Sequence, residues 1–182
     1  KEQAKEYMTV SSDEIFNYWS VYYNQARDVH PPLFYMLVHL VSSICLNNFT
    51  KYIIFSINLI FYIASCFVLK KILKLFNKEE LSWITVLFYG LSMGMISIVM
   101  FQRMYMMLTF FSMVYLYLNI NIFKNSFEID KKTKRKLTIT VILGFLTQYY
   151  FCIYIVLVFI LNAIYLLFVT SSPDMHLLCF FN

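Results

Sequence analysis

The 182-residue chain is 60% hydrophobic and 20% aromatic, and only 14% of its residues are charged. A water-soluble domain carries about a quarter charged residues, so this composition excludes a fold that covers its own surface in water. It points to an all-α, polytopic transmembrane helical bundle whose apolar side chains face lipid.

The net charge of +5 does not indicate a nucleic-acid partner. Ten of the fifteen basic residues fall in two short stretches, 70–78 and 124–136, rather than in a stripe with interleaved aromatics. Basic clusters between apolar spans mark cytoplasmic loops. Cys45, Cys66, Cys152 and Cys179 lie in apolar runs without metal-ligand spacing and read as buried free thiols.

Residues 1–30 form the one long polar stretch. Ser11 and Glu14 fit a capping box, which also accounts for the adjacent acids Asp13 and Glu14. Ile15, Trp19, Tyr22 and Ala26 then recur at helical spacing and predict an amphipathic helix over 12–27, lying on the membrane surface. "NQARDVHPPLFYMLVHL" follows, from Asn24 to Leu40. Pro31 holds His30 extended, and a helix is expected from Pro31 or Pro32 to about Cys45. At about fifteen residues it falls short of the roughly twenty that cross a bilayer. Asp28 is equally at home as a turn-forming acid and as a partner of His30. Such a pair can shuttle a proton or meet an anion; two ligands do not make a metal site, so no divalent metal or other cofactor is assigned. His39 is expected to pack on the face of Tyr35 and Met36 as a satisfied core histidine.

Apolar spans are expected at 52–69, 81–101 and 104–123. The last run, 137–169, is 33 residues long. As one helix it would measure about 50 Å, so a break into two short helices near Gln148 is expected. Gly90 and Gly94 form a GxxxG pattern that favours close helix packing. Arg103 is the one ionisable residue between Glu80 and Lys124. A charge at membrane depth costs at least about 2.5 kcal/mol and calls for a partner. It reads either as a hairpin-tip arginine on lipid headgroups or as a phosphate clamp. Gln148 needs hydrogen-bond partners in its apolar run, whereas Tyr149 and Tyr150 alone would be an aromatic belt. If both basic stretches are cytoplasmic, parity puts Asp28-Val29-His30, Arg103-Met104-Tyr105 and Gln148-Tyr149-Tyr150 at the opposite, external face. The expected organisation is an external segment with interfacial helices over 1–50, a membrane bundle over 51–170, and a tail over 171–182.

"DVHPPLFYMLVHL", "QRMYMMLTFFSMVYLYL", a basic loop and "TQYYFCIYIVL", in that order, resemble the bacterial membrane glycosyltransferases related to protein O-mannosyltransferases. Those enzymes share the C-type glycosyltransferase fold. The resemblance covers about 7–169. It implies a multi-pass cell-membrane enzyme with an external active face, passing a sugar from a polyprenyl-phosphate carrier to an acceptor. His30 matches the residue that meets the carrier phosphate, with Asp28 beside it as the second catalytic group. Arg103, Tyr105, Gln148, Tyr149 and Tyr150 match substrate-binding positions. Two departures stand out: Gln148 occupies a position commonly held by His, and Tyr105 one that is Asp in some relatives. The family's first span and its catalytic carboxylate have no counterpart here, so the chain is expected to be a fragment, inactive alone. The competing class is a non-enzymatic membrane protein, either a transporter or channel piece or a lipid-binding scaffold. Against transport stand the lack of an acidic chain through the spans and the lack of Gly or Pro at the expected break.

Overall fold

The computed structural model describes residues 10, 14–25, 30–46, 50–76, 78–125 and 129–171. Among them the secondary structure is helical, with no strand. The chain divides into two compact units, one up to Tyr149 and one from Tyr150.

In the first unit, α1 (Tyr18–Gln25) is shorter than the expected 12–27. The reason is local. Phe16 has φ of 55°, in the left-handed region, and its amide donates to Ser43 Oγ at 3.1 Å. That kink stops a helix from running through, and Asn17 caps the new start by accepting from Ser20 N at 3.3 Å. Ser11 to Asp13 lie outside the described residues, and so does Ala26. Trp19 stands 81% exposed, as an interfacial aromatic would.

α2 (Leu33–Ile44) starts where the proline pair predicts, with Pro32 as its N-cap. Its 12 residues rise about 18 Å and do not cross a bilayer. α3 (Thr50–Leu75) and α6 (Tyr105–Lys124) are each long and apolar enough to span one. The expected span at 81–101 is instead two helices, α4 (Glu79–Leu91) and α5 (Met93–Met100), bent by 54°. Ser92 makes the break self-sufficient in an apolar setting. Its hydroxyl donates to Tyr89 O at 2.8 Å and accepts from Met95 N at 3.3 Å. If the bent pair is counted as one span, the described residues hold three.

The packing sets the direction of each element. Phe61 on α3 meets Phe110 on α6 with ring centroids 5.4 Å apart, and Lys124 Nζ donates to Leu75 O. The two long helices therefore run parallel. Lys70 Nζ sits 3.9 Å over the Trp83 ring and Ser65 Oγ lies 2.9 Å from Tyr89 Oη, so α4 runs antiparallel to α3. The glycine pair acts only at one position. A Cβ on Gly90 would come within 2.5 Å of Tyr62 Oη, so α4 approaches α3 closely there, whereas nothing lies within 4 Å of one on Gly94. α7 (Lys131–Thr147) packs on α6 and α2.

The second unit is represented by α8 (Phe151–Ser171), preceded by a turn in which Ile153 N donates to Tyr150 O at 3.1 Å. The expected interruption near Gln148 is present, although α8 is longer than expected. Residues 172–182, including Cys179, lie outside the described residues. Of the other cysteines, Cys45 and Cys152 are exposed and Cys66 is half-buried, so these free thiols are not the core thiols expected.

Candidate functional site

Arg103 is exposed on the turn between α5 and α6. That turn is held from below. Asn58, in the middle of an apolar stretch of α3, is fully buried and donates from Nδ2 to Phe101 O at 2.9 Å and to Val99 O at 3.3 Å. Arg103 N also donates to Phe101 O, at 2.7 Å. A helix end inside a bundle leaves carbonyls without intrahelical partners, and this amide supplies two of them with donors. Asn58 Oδ1 has no hydrogen-bond partner among the described residues. Removing an amide from water without full compensation is costly, so the residue is held there by the two bonds it does make.

Tyr105 opens α6 and stacks obliquely on Phe101, with centroids 5.7 Å apart. Met104, the N-cap, is fully buried and gives no side-chain cap. The first turn of α6 thus points amide N–H groups toward the neighbourhood of Arg103. A guanidinium beside an uncapped helix N-terminus is an anion-binding arrangement.

The other expected site residues are spread along the fold. His30 is half-buried just before α2 and has an interaction of its own. Asp28 lies outside the described residues. Gln148 ends α7 in an extended conformation and is 3% exposed, its amide donating to Gly144 O at 3.1 Å. Tyr149 is exposed and packs on Phe145, with centroids 5.2 Å apart. Tyr150 belongs to the second unit, where it is exposed. Arg103 and Tyr105 share the segment that leads into α6. His30 and Gln148 are related through their elements, since α2 packs on both α3 and α7.

His39 is half-buried and lies edge-on to Tyr18 of α1, a partner outside the expected Tyr35–Met36 face, with centroids 5.7 Å apart. Nor is it satisfied: its Nε2 is buried without a hydrogen-bond partner among the described residues, as is Ser42 Oγ one turn on. Beside it, Tyr18, Trp19, Tyr22 and Met36 line an open apolar cavity of about 380 Å³. None of the expected site residues is among these four. Among the described residues no group of three or more His, Cys, Asp or Glu side chains could hold a metal ion.

Sequence reasoning missed Asn58 and Ser92. The signal for Asn58 was present: a lone amide in "IIFSINLIF" needs partners for the same reason that Gln148 does. Comparison of the chain with known protein families, with curated proteins and with solved structures gives no match.

Proposed function

We propose that the chain is part of a membrane glycosyltransferase that transfers a sugar from a polyprenyl-phosphate carrier to an acceptor at the external face of the membrane. The observation that carries the reading is Arg103, set on an amide-braced turn beside the uncapped start of α6. It lies at the end of α6 remote from Lys124, about 30 Å away along a 20-residue helix. The cytoplasm-type basic stretches begin at that other end, because Lys124 joins Leu75 there. A cation on a braced turn at the less basic end of the bundle suits a phosphate held at the opposite membrane surface.

In this mechanism an acceptor hydroxyl attacks the anomeric carbon, and the lipid phosphate departs. The protein holds that phosphate, excludes water and removes the hydroxyl proton. Arg103 and the α6 N-terminus neutralise the charge that develops on the leaving phosphate, and His30 contributes a second donor. Asp28 orients His30. Tyr105 and Tyr149 give the sugar aromatic walls, and Gln148 bonds its hydroxyls. No residue of this chain is assigned the role of catalytic carboxylate. The partners are the lipid-linked sugar and membrane lipid; no nucleic acid is involved.

A transfer assay on the full-length protein with a polyprenyl-phosphate sugar tests this. His30→Ala should weaken carrier binding, and unchanged affinity removes it from the site. Impermeant labelling of cysteines placed at positions 28 and 103 should report the same side of the membrane; opposite sides would end the proposal.

One observation favours the transport class. The 54° break between α4 and α5 is flanked by Gly90 and Gly94, and discontinuous glycine-flanked helices are characteristic of transporters. An upstream or downstream inverted repeat of these spans would decide for it.

A further inference from the structure

We infer that the basic end of the bundle is a binding surface for anionic phospholipid headgroups. Two stretches 49 residues apart in sequence form it, because Lys124 Nζ donates to Leu75 O and sits 5.3 Å over the Phe76 ring. That contact brings the stretch holding Lys70, Lys71, Lys74 and Lys78 to Lys124 at the end of α6, and α7, which packs on α6, starts at Lys131. Over 70–80 and 124–136 the sequence holds ten basic residues against four acids, Glu79, Glu80, Glu128 and Asp130.

The placement of these charges runs against helix electrostatics. Five of the first six residues of α7 are basic: Lys131, Lys132, Lys134, Arg135 and Lys136. All five are exposed. The positive end of a helix dipole disfavours cations, and like charges one turn apart repel. Asp130, the N-cap, offsets only part of this by accepting from Lys132 N and Thr133 N. An anionic surface facing these cations offsets that repulsion.

The position selects the class of anion. The surface closes two helices of membrane-spanning length, and Trp83, 63% exposed, lies directly under Lys70. An exposed tryptophan beside lysines marks headgroup depth, where each cation near an anionic leaflet contributes about 1 kcal/mol. The partner is therefore the lipid surface rather than a soluble polyanion. This inference is independent of the transfer reading.

The test uses the chain in vesicles with Trp19→Phe, which leaves Trp83 as the only tryptophan. Its quenching by brominated phosphatidylglycerol is compared with that by brominated phosphatidylcholine at equal mole fraction. At low salt the anionic lipid should be enriched about fivefold around Trp83, the equivalent of one lysine's contribution. The preference should vanish in about 1 M NaCl, where the Debye length is near 3 Å. Neutralising Lys132, Lys134, Arg135 and Lys136 to Gln should also reduce it. If that variant loses its helical circular dichroism, the salt titration of the unneutralised protein decides. Equal quenching by the two lipids at low salt overturns the proposal. So does displacement of the lipid preference by a short RNA at matched phosphate concentration.

Discussion

The two ends of the α3–α6 pair handle positive charge in opposite ways. At one end a single guanidinium, Arg103, stands on a turn that a buried amide holds in place. At the other, ten cations lie in two stretches, and five of them crowd a helix start. A positioned cation recognises one anion by geometry. Many exposed cations recognise a charged surface by density and are screened by salt. The difference teaches that charge count is a poor guide to where specific binding resides: the informative charge is the one whose backbone is braced.

Removing the Arg103 guanidinium should have the largest consequence. Arg103→Ala is expected to reduce lipid-linked sugar transfer about 100-fold or more, the scale of losing one oxyanion donor. Neutralising any single lysine of the basic end should leave transfer within about twofold, since exposed charges contribute little one at a time. Activity of Arg103→Ala near that of the unaltered protein would erase the contrast between the ends. Asn58→Leu comes next. It removes the donors to Val99 O and Phe101 O but also removes the orphaned Oδ1, so the net loss of stability should be about 1–2 kcal/mol, read by thermal melting in detergent. Its sharper signature is a faster reaction of a cysteine placed at position 103, as the turn loosens. An unchanged labelling rate would mean that the turn holds itself.

How much of this was legible beforehand depended on whether the signal was local. α2 followed from Pro31-Pro32, and α3 and α6 from runs of apolar residues. The interruption at 148–150 followed from length alone, because 33 apolar residues fit neither one span nor two. The α4–α5 break was not legible in hydropathy, since "LFYGLSMGMISIV" stays apolar throughout. What breaks the helix is Ser92 satisfying the broken ends with its own hydroxyl, a bond that hydropathy does not weigh. Arg103 and Gln148 were found by asking what a polar group does in an apolar run. Asn58 invited the same question, and its answer lay 41 residues away at Val99, a contact that no window over the sequence spans.

The glycine pair sharpens the distinction between a pattern and a contact. Gly90→Ala should drive a methyl into Tyr62 Oη, 2.5 Å away, whereas Tyr62 Cζ at 3.5 Å is at ordinary contact distance. The hydroxyl alone is the obstacle. Gly90→Ala should therefore be better tolerated with Tyr62→Phe, by a coupling of about 1 kcal/mol in a double-mutant cycle. Gly94→Ala meets open space and should be neutral or stabilising by at most about 1 kcal/mol. Equal costs at the two glycines would show that the motif packs as a unit after all.

The smallest effect returns to the basic end and tests the acid that caps α7. The Thr133 side chain and, beyond it, the amides of Thr133 and Lys132 bond the Asp130 carboxylate and hold its pKa below the ordinary carboxylate value. A lowered pKa means that the folded helix start favours the ionised form. The contribution is therefore fully present above the ordinary carboxylate range and is lost as pH falls through the lowered value. Amide exchange at Lys132 and Thr133 reads this directly, with faster exchange on the acid side of that window after correction for intrinsic rates. Asn also caps helices but does not titrate. Asp130→Asn should keep these amides protected at neutral pH and abolish the acid-side change, while Asp130→Ala should lose the protection at every pH. If Asp130→Asn still shows the acid-side loss, the titrating group lies elsewhere.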